Sequence, residues 1–209
     1  LGLTMWLFDR SRDAAIAGLR KKFAKMPDIA EANVAAINAG HAFGETTELP
    51  AGIEIYQVPR AQVAPGLYRN ITGSEALAYG LLAGGQLADL PIVFASYPIT
   101  PASSLLHTLS GQKHFEVVTF QAEDEIAAVC AAIGASFAGS LGITSSSGPG
   151  ISLKAEAISL ACAVELPLVI VNTQRGGPST GLPTKTEQSD LFQAIYGRHA
   201  DTPLPVIAT

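Results

Sequence analysis

Residues 141–171 read LGITSSSGPGISLKAEAISLACAVELPLVIV, and two apolar runs flank a helical segment in them. The runs, Leu141–Ser145 and Pro167–Val171, have the length and near-continuous hydrophobicity of strands that are covered on both faces. Between them, Pro149–Ala163 predicts a helix that begins with proline. A strand, a helix and a second strand in this order are typical of a parallel sheet flanked by helices. We therefore predict an α/β fold.

The same alternation extends towards the N-terminus. A capping box at Thr72-Gly-Ser-Glu75 predicts a helix that runs through Ala88. Further predicted elements are strands at 91–96 and 115–120 and helices at 101–109, 123–138 and 186–195. Ligands of parallel sheets bind beyond the carboxyl ends of the strands. The segments expected to form a site are therefore 97–104, 121–125, 145–150 and 173–190.

Composition excludes several classes of protein. With 48% hydrophobic and 15% charged residues, the chain is too apolar to be disordered, and its net charge of −5 argues against nucleic-acid binding. Residues 126–153 contain no charged side chain, but the segment TSSSGPG at 144–150 is too polar to face lipid, so no membrane association is predicted. The small charged fraction indicates that another chain covers part of the surface.

The two cysteines, Cys130 and Cys162, lie in alanine-rich helical stretches. They are too few for a disulfide framework, a zinc site or an iron–sulfur cluster. We expect buried thiols in a cytoplasmic protein.

Residues 1–50 form a basic region that predicts two amphipathic helices, Ser11–Lys25 and Asp28–Phe43. Residues 51–67 are predicted to be a linker, in which Ile53 and Ile55 alternate like a short edge strand. Because the chain starts at Leu1 without an initiator methionine, we expect it to be a piece of a longer polypeptide.

Three adjacent acids in Gln121–Glu125 precede a helix of small and apolar residues. They could simply complement the helix dipole. Since the helix is expected to be wholly buried, we also expect at least one carboxylate at the mouth of a cavity, where it can share a proton with a ring nitrogen. Gly148-Pro-Gly150 is either a tight turn or a loop that lets a flat ligand approach closely.

Arg175 follows the last predicted strand in a region with few bases, where Lys154 is the only Lys or Arg between Lys113 and Arg175. An isolated arginine at a strand end is usually solvated or paired. Among Gly, Ser and Thr residues at the ligand edge of a sheet, it also suits bidentate binding of a carboxylate. Thr100, Thr180 and Thr184 could add hydroxyl groups.

Four motifs occur together in an order that resembles the alpha subunit of 2-oxoacid:ferredoxin oxidoreductases, especially the 2-oxoglutarate type. They are YPITP at 97–101, QAEDE at 121–125, TSSSGPG at 144–150 and RGGPSTGLPTKTEQSD at 175–190. The resemblance covers residues 68–209 and implies a pyrimidine-binding domain for thiamine diphosphate. Residues 1–50 more weakly resemble the tail of a gamma domain, which some members carry ahead of alpha.

The resemblance also implies roles for individual residues. Glu125 matches the essential glutamate that bonds the coenzyme's aminopyrimidine, with Glu123 as the neighbouring candidate. Gly148, Pro149 and Gly150 would contact the coenzyme. Substrate would be held by Thr100, Arg175 and Thr184.

The implied reaction is oxidative decarboxylation of 2-oxoglutarate, or a related 2-oxoacid, to an acyl-coenzyme A with electrons passed to ferredoxin. The chain lacks a Gly-Asp-Gly…Asn signature for Mg²⁺ and diphosphate, and it lacks cluster cysteines. By the resemblance, a beta subunit carries these groups, so this subunit is expected to be inactive alone. Another thiamine-diphosphate lyase or decarboxylase, or a non-catalytic assembly subunit, remain the alternatives.

Overall fold

A computed structural model describes residues 1–47, 54, 56–59, 61–178, 182, 184–185, 187–199 and 204–208. The chain divides into two compact units, Leu1–Leu67 and Tyr68–Thr209. Nowhere in the described ranges does a helix combine the length and hydropathy needed to cross a membrane.

The first unit contains the helices α1 (Gly2–Leu7), α2 (Asp13–Lys22) and α3 (Pro27–Thr46). The two predicted helices are present as α2 and α3, whereas α1 is too short to leave a periodic signal. Gly44 of α3 lies so close to α1 that an added Cβ would come within 2.4 Å of the Trp6 ring. The edge strand predicted at Ile53 and Ile55 lies outside the described residues.

The second unit is built on a parallel sheet of four strands, which confirms the predicted fold class. The strands are β1 (Ile92–Ser96), β2 (Val117–Gln121), β3 (Leu141–Ser146) and β4 (Leu168–Asn172), in the order β2-β1-β3-β4. In register, Ser96 pairs with Gln121 and Ala95 with Thr144. The carboxyl ends of β1 and β3 therefore lie side by side at the centre of one edge.

Six helices accompany the sheet in the described part of this unit. They are α4 (Gly73–Ala88), α5 (Ser103–Ser110), α6 (Glu125–Phe137), α7 (Pro149–Leu153), α8 (Ala155–Ala163) and α9 (Leu191–Tyr196). The capping box of α4 is present, since Thr72 Oγ1 accepts from Glu75 N and the Glu75 carboxylate accepts from Thr72 N. The single helix predicted over Pro149–Ala163 is wrong, because it is divided at Lys154 (φ −89°, ψ −5°).

The main hydrophobic core lies between the central strands and the pair α4 and α5. Phe94 and Ile143 are fully buried, and Leu82 and Leu105 pack against them. The central strands are apolar in their first halves, and their last residues, Ser96 in β1 and Thr144–Ser146 in β3, are buried and polar.

Helix α6 is not wholly buried, contrary to the expectation from its composition. One face, with Ala128, Val129 and Ala132, is fully buried, while Ile126 and Phe137 on the other face are 48% and 83% exposed. The predicted burial of both thiols is also wrong, since Cys130 is exposed and Cys162 is partly exposed. A helix lying on one sheet can bury only one face within its own chain, so an apolar sequence did not guarantee full burial.

We expect Phe94→Ala to lower the free energy of unfolding by about 3–5 kcal/mol, because it leaves a cavity in the core. Phe137→Ala makes the same chemical change at an exposed position and should cost no more than about 0.5 kcal/mol. Urea unfolding of the purified chain, followed by circular dichroism, measures both values. Equal losses in the two variants would contradict the assigned core.

Candidate functional site

Two buried hydroxyl pairs join the carboxyl ends of β1 and β3. Ser96 Oγ lies 2.7 Å from Ser145 Oγ, and Tyr97 Oη lies 3.0 Å from Ser146 Oγ. All four residues are buried. A buried hydroxyl must find a partner or lose its solvation without compensation, so the two pairs hold the loops that follow these strands in one relative position.

The loop after β3 requires glycine at two positions. Gly148 has a φ of +50°, in the left-handed region that side chains disfavour. A Cβ on Gly150 would lie 2.1 Å from Ser146 Oγ and 2.4 Å from Tyr97 Oη. The turn explanation of Gly148-Pro-Gly150 is therefore confirmed, and the close contacts of Gly150 are with the protein's own Ser146 and Tyr97.

The three acids before α6 occupy different environments. The Asp124 carboxylate caps the helix by accepting from Ala127 N at 2.8 Å, while Glu123 is exposed to solvent. Glu125, the first residue of α6, is half-buried, and its Oε1 lies 3.4 Å from the Cβ position of Gly150. Asp124 is thus the acid that complements the start of the helix. Glu125 is the acid beside the glycine loop, which is formed by Gly148, Pro149 and Gly150.

Tyr97 connects Glu125 to the hydroxyl pairs. Burial raises the pKa of the Tyr97 phenol; the Ser146 hydrogen bond opposes this shift, and the charge of Glu125 adds to it. Tyr97 is the first residue of the YPITP motif, and the sequence predicted no role for it. A tyrosine after a buried strand is usually part of the core, so its residue type did not mark it as a site residue.

Lys154 is fully buried at the junction of α7 and α8. Its Nζ donates to Thr144 Oγ1 at 2.7 Å and to the Ser145 carbonyl at 3.2 Å, and lies 5.7 Å from the centroid of the Tyr97 ring. Burial lowers the pKa of Lys154 to about 8, and the charge of Glu125 opposes that shift. Sequence reasoning missed this residue, although its isolation in a stretch without other cations was the signal that could have found it.

Arg175 links the loop after β4 to the loop after β1. It is buried, and its Nη1 donates to the Thr100 carbonyl at 2.7 Å. A Cβ on Gly148 would lie 3.7 Å from Arg175 Cγ. The structure therefore brings Arg175, the Thr100 backbone and the glycine loop together.

Of the two other residues with predicted hydroxyl contacts to substrate, only Thr184 belongs to the described part of the chain. The Thr184 side chain is exposed, and its neighbour Lys185 accepts from Gly176 N through its carbonyl at 2.7 Å. Thr180 lies outside the described residues. Asp190 instead anchors the start of α9 to the end of β4, because its carboxylate accepts from Asn172 Nδ2 at 3.2 Å.

The described residues also form a cavity elsewhere on the sheet. A cavity of about 380 Å³ lies at the amino-terminal edge of the strands, lined by Leu82, Ile92 and His114 among others, and Glu125 is not part of its lining. The cavity expected beside Glu125 is not this one. Among the described residues, no three His, Cys, Asp or Glu side chains are grouped closely enough to hold a metal ion.

Comparison with known proteins gives three consistent findings. Residues 85–209 match the family described as pyruvate flavodoxin/ferredoxin oxidoreductase, thiamine diphosphate-binding. The chain is 58% identical over 208 residues to the 2-oxoglutarate oxidoreductase subunit KorA of Mycobacterium tuberculosis, covering 100% of this chain and 32% of that protein. It is 45% identical over 139 residues to the 2-oxoglutarate synthase subunit KorA of Archaeoglobus fulgidus. This match covers 66% of this chain and 39% of that protein.

A solved structure is similar as well. It is the 2-oxoglutarate:ferredoxin oxidoreductase from Magnetococcus marinus with 2-oxoglutarate, coenzyme A and succinyl-CoA bound, at a TM-score of 0.69 and 37% identity. The match covers 97% of this chain and 34% of that one, so the chain spans about a third of the length of these relatives. The family model covers more than half of the chain, which confirms the resemblance found in its motifs. The chain belongs to the pyruvate flavodoxin/ferredoxin oxidoreductase family of thiamine diphosphate-binding domains.

Proposed function

We propose that this chain is part of the alpha subunit of a 2-oxoacid:ferredoxin oxidoreductase and contributes the pyrimidine side of a thiamine-diphosphate site. The whole enzyme would convert 2-oxoglutarate, or a related 2-oxoacid, and coenzyme A into acyl-coenzyme A and CO₂, with the electrons passed to ferredoxin. The observation that carries the proposal is Glu125, a half-buried carboxylate beside a glycine loop at the carboxyl edge of a parallel sheet. The 58% identity to a 2-oxoglutarate oxidoreductase subunit supports the choice of substrate.

In the proposal, the coenzyme's aminopyrimidine lies between Glu125 and the loop after β3. Glu125 Oε1 lies beside the backbone of Gly150, 3.4 Å from its Cβ position, and the Glu125 side chain is only partly buried. In the proposal, Gly148, Pro149 and Gly150 line the coenzyme, and Glu125 holds a proton at a ring nitrogen as a general acid–base. When bound, thiamine diphosphate supplies a carbon nucleophile and an electron sink for the loss of CO₂.

Arg175 is proposed to bind the carboxylate of the 2-oxoacid. Its Nη1 is fixed on the Thr100 carbonyl, so the orientation of the guanidinium is set before substrate arrives. A pre-oriented guanidinium binds a carboxylate strongly, because both groups are planar and charged. Thr100 and Thr184 are proposed as additional substrate residues.

A beta subunit is proposed to complete the site with the diphosphate-binding domain, Mg²⁺ and an iron–sulfur cluster. The support is an exposed apolar surface on β2 and α6: Val118, Phe120 and Phe137 are 62%, 49% and 83% exposed. Apolar surface of this kind usually faces a partner. The chain alone would then be inactive.

We further propose that residues 1–50 are the tail of a gamma-like domain. We also propose that the enzyme is cytoplasmic, where exposed thiols such as Cys130 stay reduced.

We expect Glu125→Gln to lower turnover of the assembled enzyme by about 10²- to 10⁴-fold, because the amide cannot exchange a proton with the coenzyme. The assay is reduction of ferredoxin that depends on both 2-oxoglutarate and coenzyme A. Glu123→Gln is the matched control at an exposed position and should keep wild-type turnover. Normal turnover of the Glu125 variant would refute the proposed catalytic role and favour an assembly subunit.

We expect Arg175→Lys to reduce kcat/KM for 2-oxoglutarate by about 10- to 100-fold, since a charged, bidentate hydrogen bond contributes about 1.5–3 kcal/mol. Binding of thiamine diphosphate, measured by calorimetry, should not change. Arg69→Lys makes the same substitution at an exposed position of the same unit and should leave kcat/KM unaltered. If kcat/KM of the Arg175 variant is also unchanged, the carboxylate binds elsewhere.

A further inference from the structure

One buried charge has no part in the proposed reaction so far. Lys154 has no exposed surface, yet both hydrogen-bond acceptors of its Nζ, Thr144 Oγ1 and the Ser145 carbonyl, are neutral oxygens. Within the described residues, no carboxylate lies at salt-bridge distance from this nitrogen. Lysines are almost never fully buried unless a negative charge compensates them. A carboxylate among the described residues that compensates Lys154 therefore acts from beyond salt-bridge distance.

Glu125 is the acid whose charge acts on Lys154. Tyr97 lies beside both groups: its ring centroid is 5.7 Å from Lys154 Nζ, and its hydroxyl and Glu125 Oε1 lie 2.4 Å and 3.4 Å from the same Cβ position on Gly150. Three elements thus meet here: the end of β1, the start of α6 and the junction of α7 and α8. Their meeting point is the same glycine loop that borders the proposed coenzyme site.

We infer that Lys154 is a positioning residue. Its positive charge, which lies on the other side of Tyr97, stabilises the negatively charged form of Glu125. A nearby cation stabilises a carboxylate relative to the carboxylic acid. A proton shared between Glu125 and the ring nitrogen would then reside mainly on the coenzyme, which favours release of the thiazolium C2 proton. This inference rests on the proposed function and adds a residue to it.

The cluster should also respond to pH. The charged and titratable groups around Lys154 are Glu125 on α6, Tyr97 after β1 and Arg175 after β4, whose charge acts on Tyr97. Burial lowers the pKa of Lys154 to about 8. Below this pH the ammonium supports the Glu125 carboxylate, and above it the support is lost.

A purely structural role predicts different behaviour. If Lys154 only tied Thr144 and Ser145 together, its removal would loosen the loop at every pH and weaken coenzyme binding. In our inference, a neutral side chain of similar length leaves binding largely intact and changes the proton chemistry below pH 8.

The test measures the coenzyme before any substrate is present. The assembled enzyme is loaded with thiamine diphosphate in D₂O, quenched in acid at successive times, and the remaining C2 proton is measured by NMR. We compare wild type with Lys154→Met, Lys154→Arg and Glu125→Gln; Lys113→Met, at an exposed position, is the matched control. Coenzyme affinity is measured for each variant by calorimetry.

We expect Lys154→Met to exchange the C2 proton about 10-fold more slowly than wild type at pH 7, as for a change of about one pKa unit in proton affinity. The difference should shrink towards none above pH 9. Lys154→Arg should keep the wild-type rate at pH 7 and retain it to higher pH, because the guanidinium stays charged. Lys113→Met should match wild type throughout.

Wild-type exchange by Lys154→Met at all pH values would overturn the inference, as would a rate deficit that does not change with pH. If Lys154→Met fails to assemble, the Arg variant decides, and an alkaline profile identical to wild type would overturn it. Glu125→Gln tests the proposed function separately from the role of Lys154. Normal exchange in that variant refutes the proposed function itself, whereas slow exchange there with normal exchange in Lys154→Met refutes only the role of Lys154.

Discussion

The close approach of the loops after β1 and β3 is the constraint on which the rest of the site depends. The hydroxyl pairs Ser96–Ser145 and Tyr97–Ser146 span the gap between them, and all four residues are buried. Each such bond contributes only about 0.5–1.5 kcal/mol, but a buried hydroxyl that loses its partner costs about 1–3 kcal/mol. The pairs therefore specify one arrangement more than they stabilise it. Gly150 belongs to the same constraint, since a side chain there would overlap two of these oxygens.

Three charged side chains lie near these loops. Glu125, Lys154 and Arg175 come from three separate elements, and each is wholly or partly withdrawn from water. Burial disfavours every charged form taken alone, so a buried carboxylate and a buried cation support each other's ionisation. Groups whose protonation is adjusted by burial and by a specific partner are common at catalytic sites. The chemistry proposed for this edge is therefore compatible with its electrostatics.

Sequence patterns predicted the sheet well and the surfaces of its helices less well. The strands, the capping box at Thr72 and the edge that carries the motifs all follow from local periodicity and from the positions of glycine and proline. The helix predicted over Pro149–Ala163 is interrupted at Lys154, which ends α7 and precedes α8 and whose side chain is fully buried. The exposed face of α6 was missed because an apolar composition does not show which face of a helix packs on the sheet.

The sequence by itself determined the α/β class, the order of the elements and the family. These properties depend on residues that are close together along the chain. Only the tertiary structure decided that Glu125 rather than Glu123 lies beside Gly150, that Lys154 is buried near Tyr97, and that Arg175 holds the Thr100 carbonyl. These contacts join residues that are tens of positions apart. They depend on the register of parallel strands and on the direction in which each loop leaves the sheet, and no local pattern encodes either.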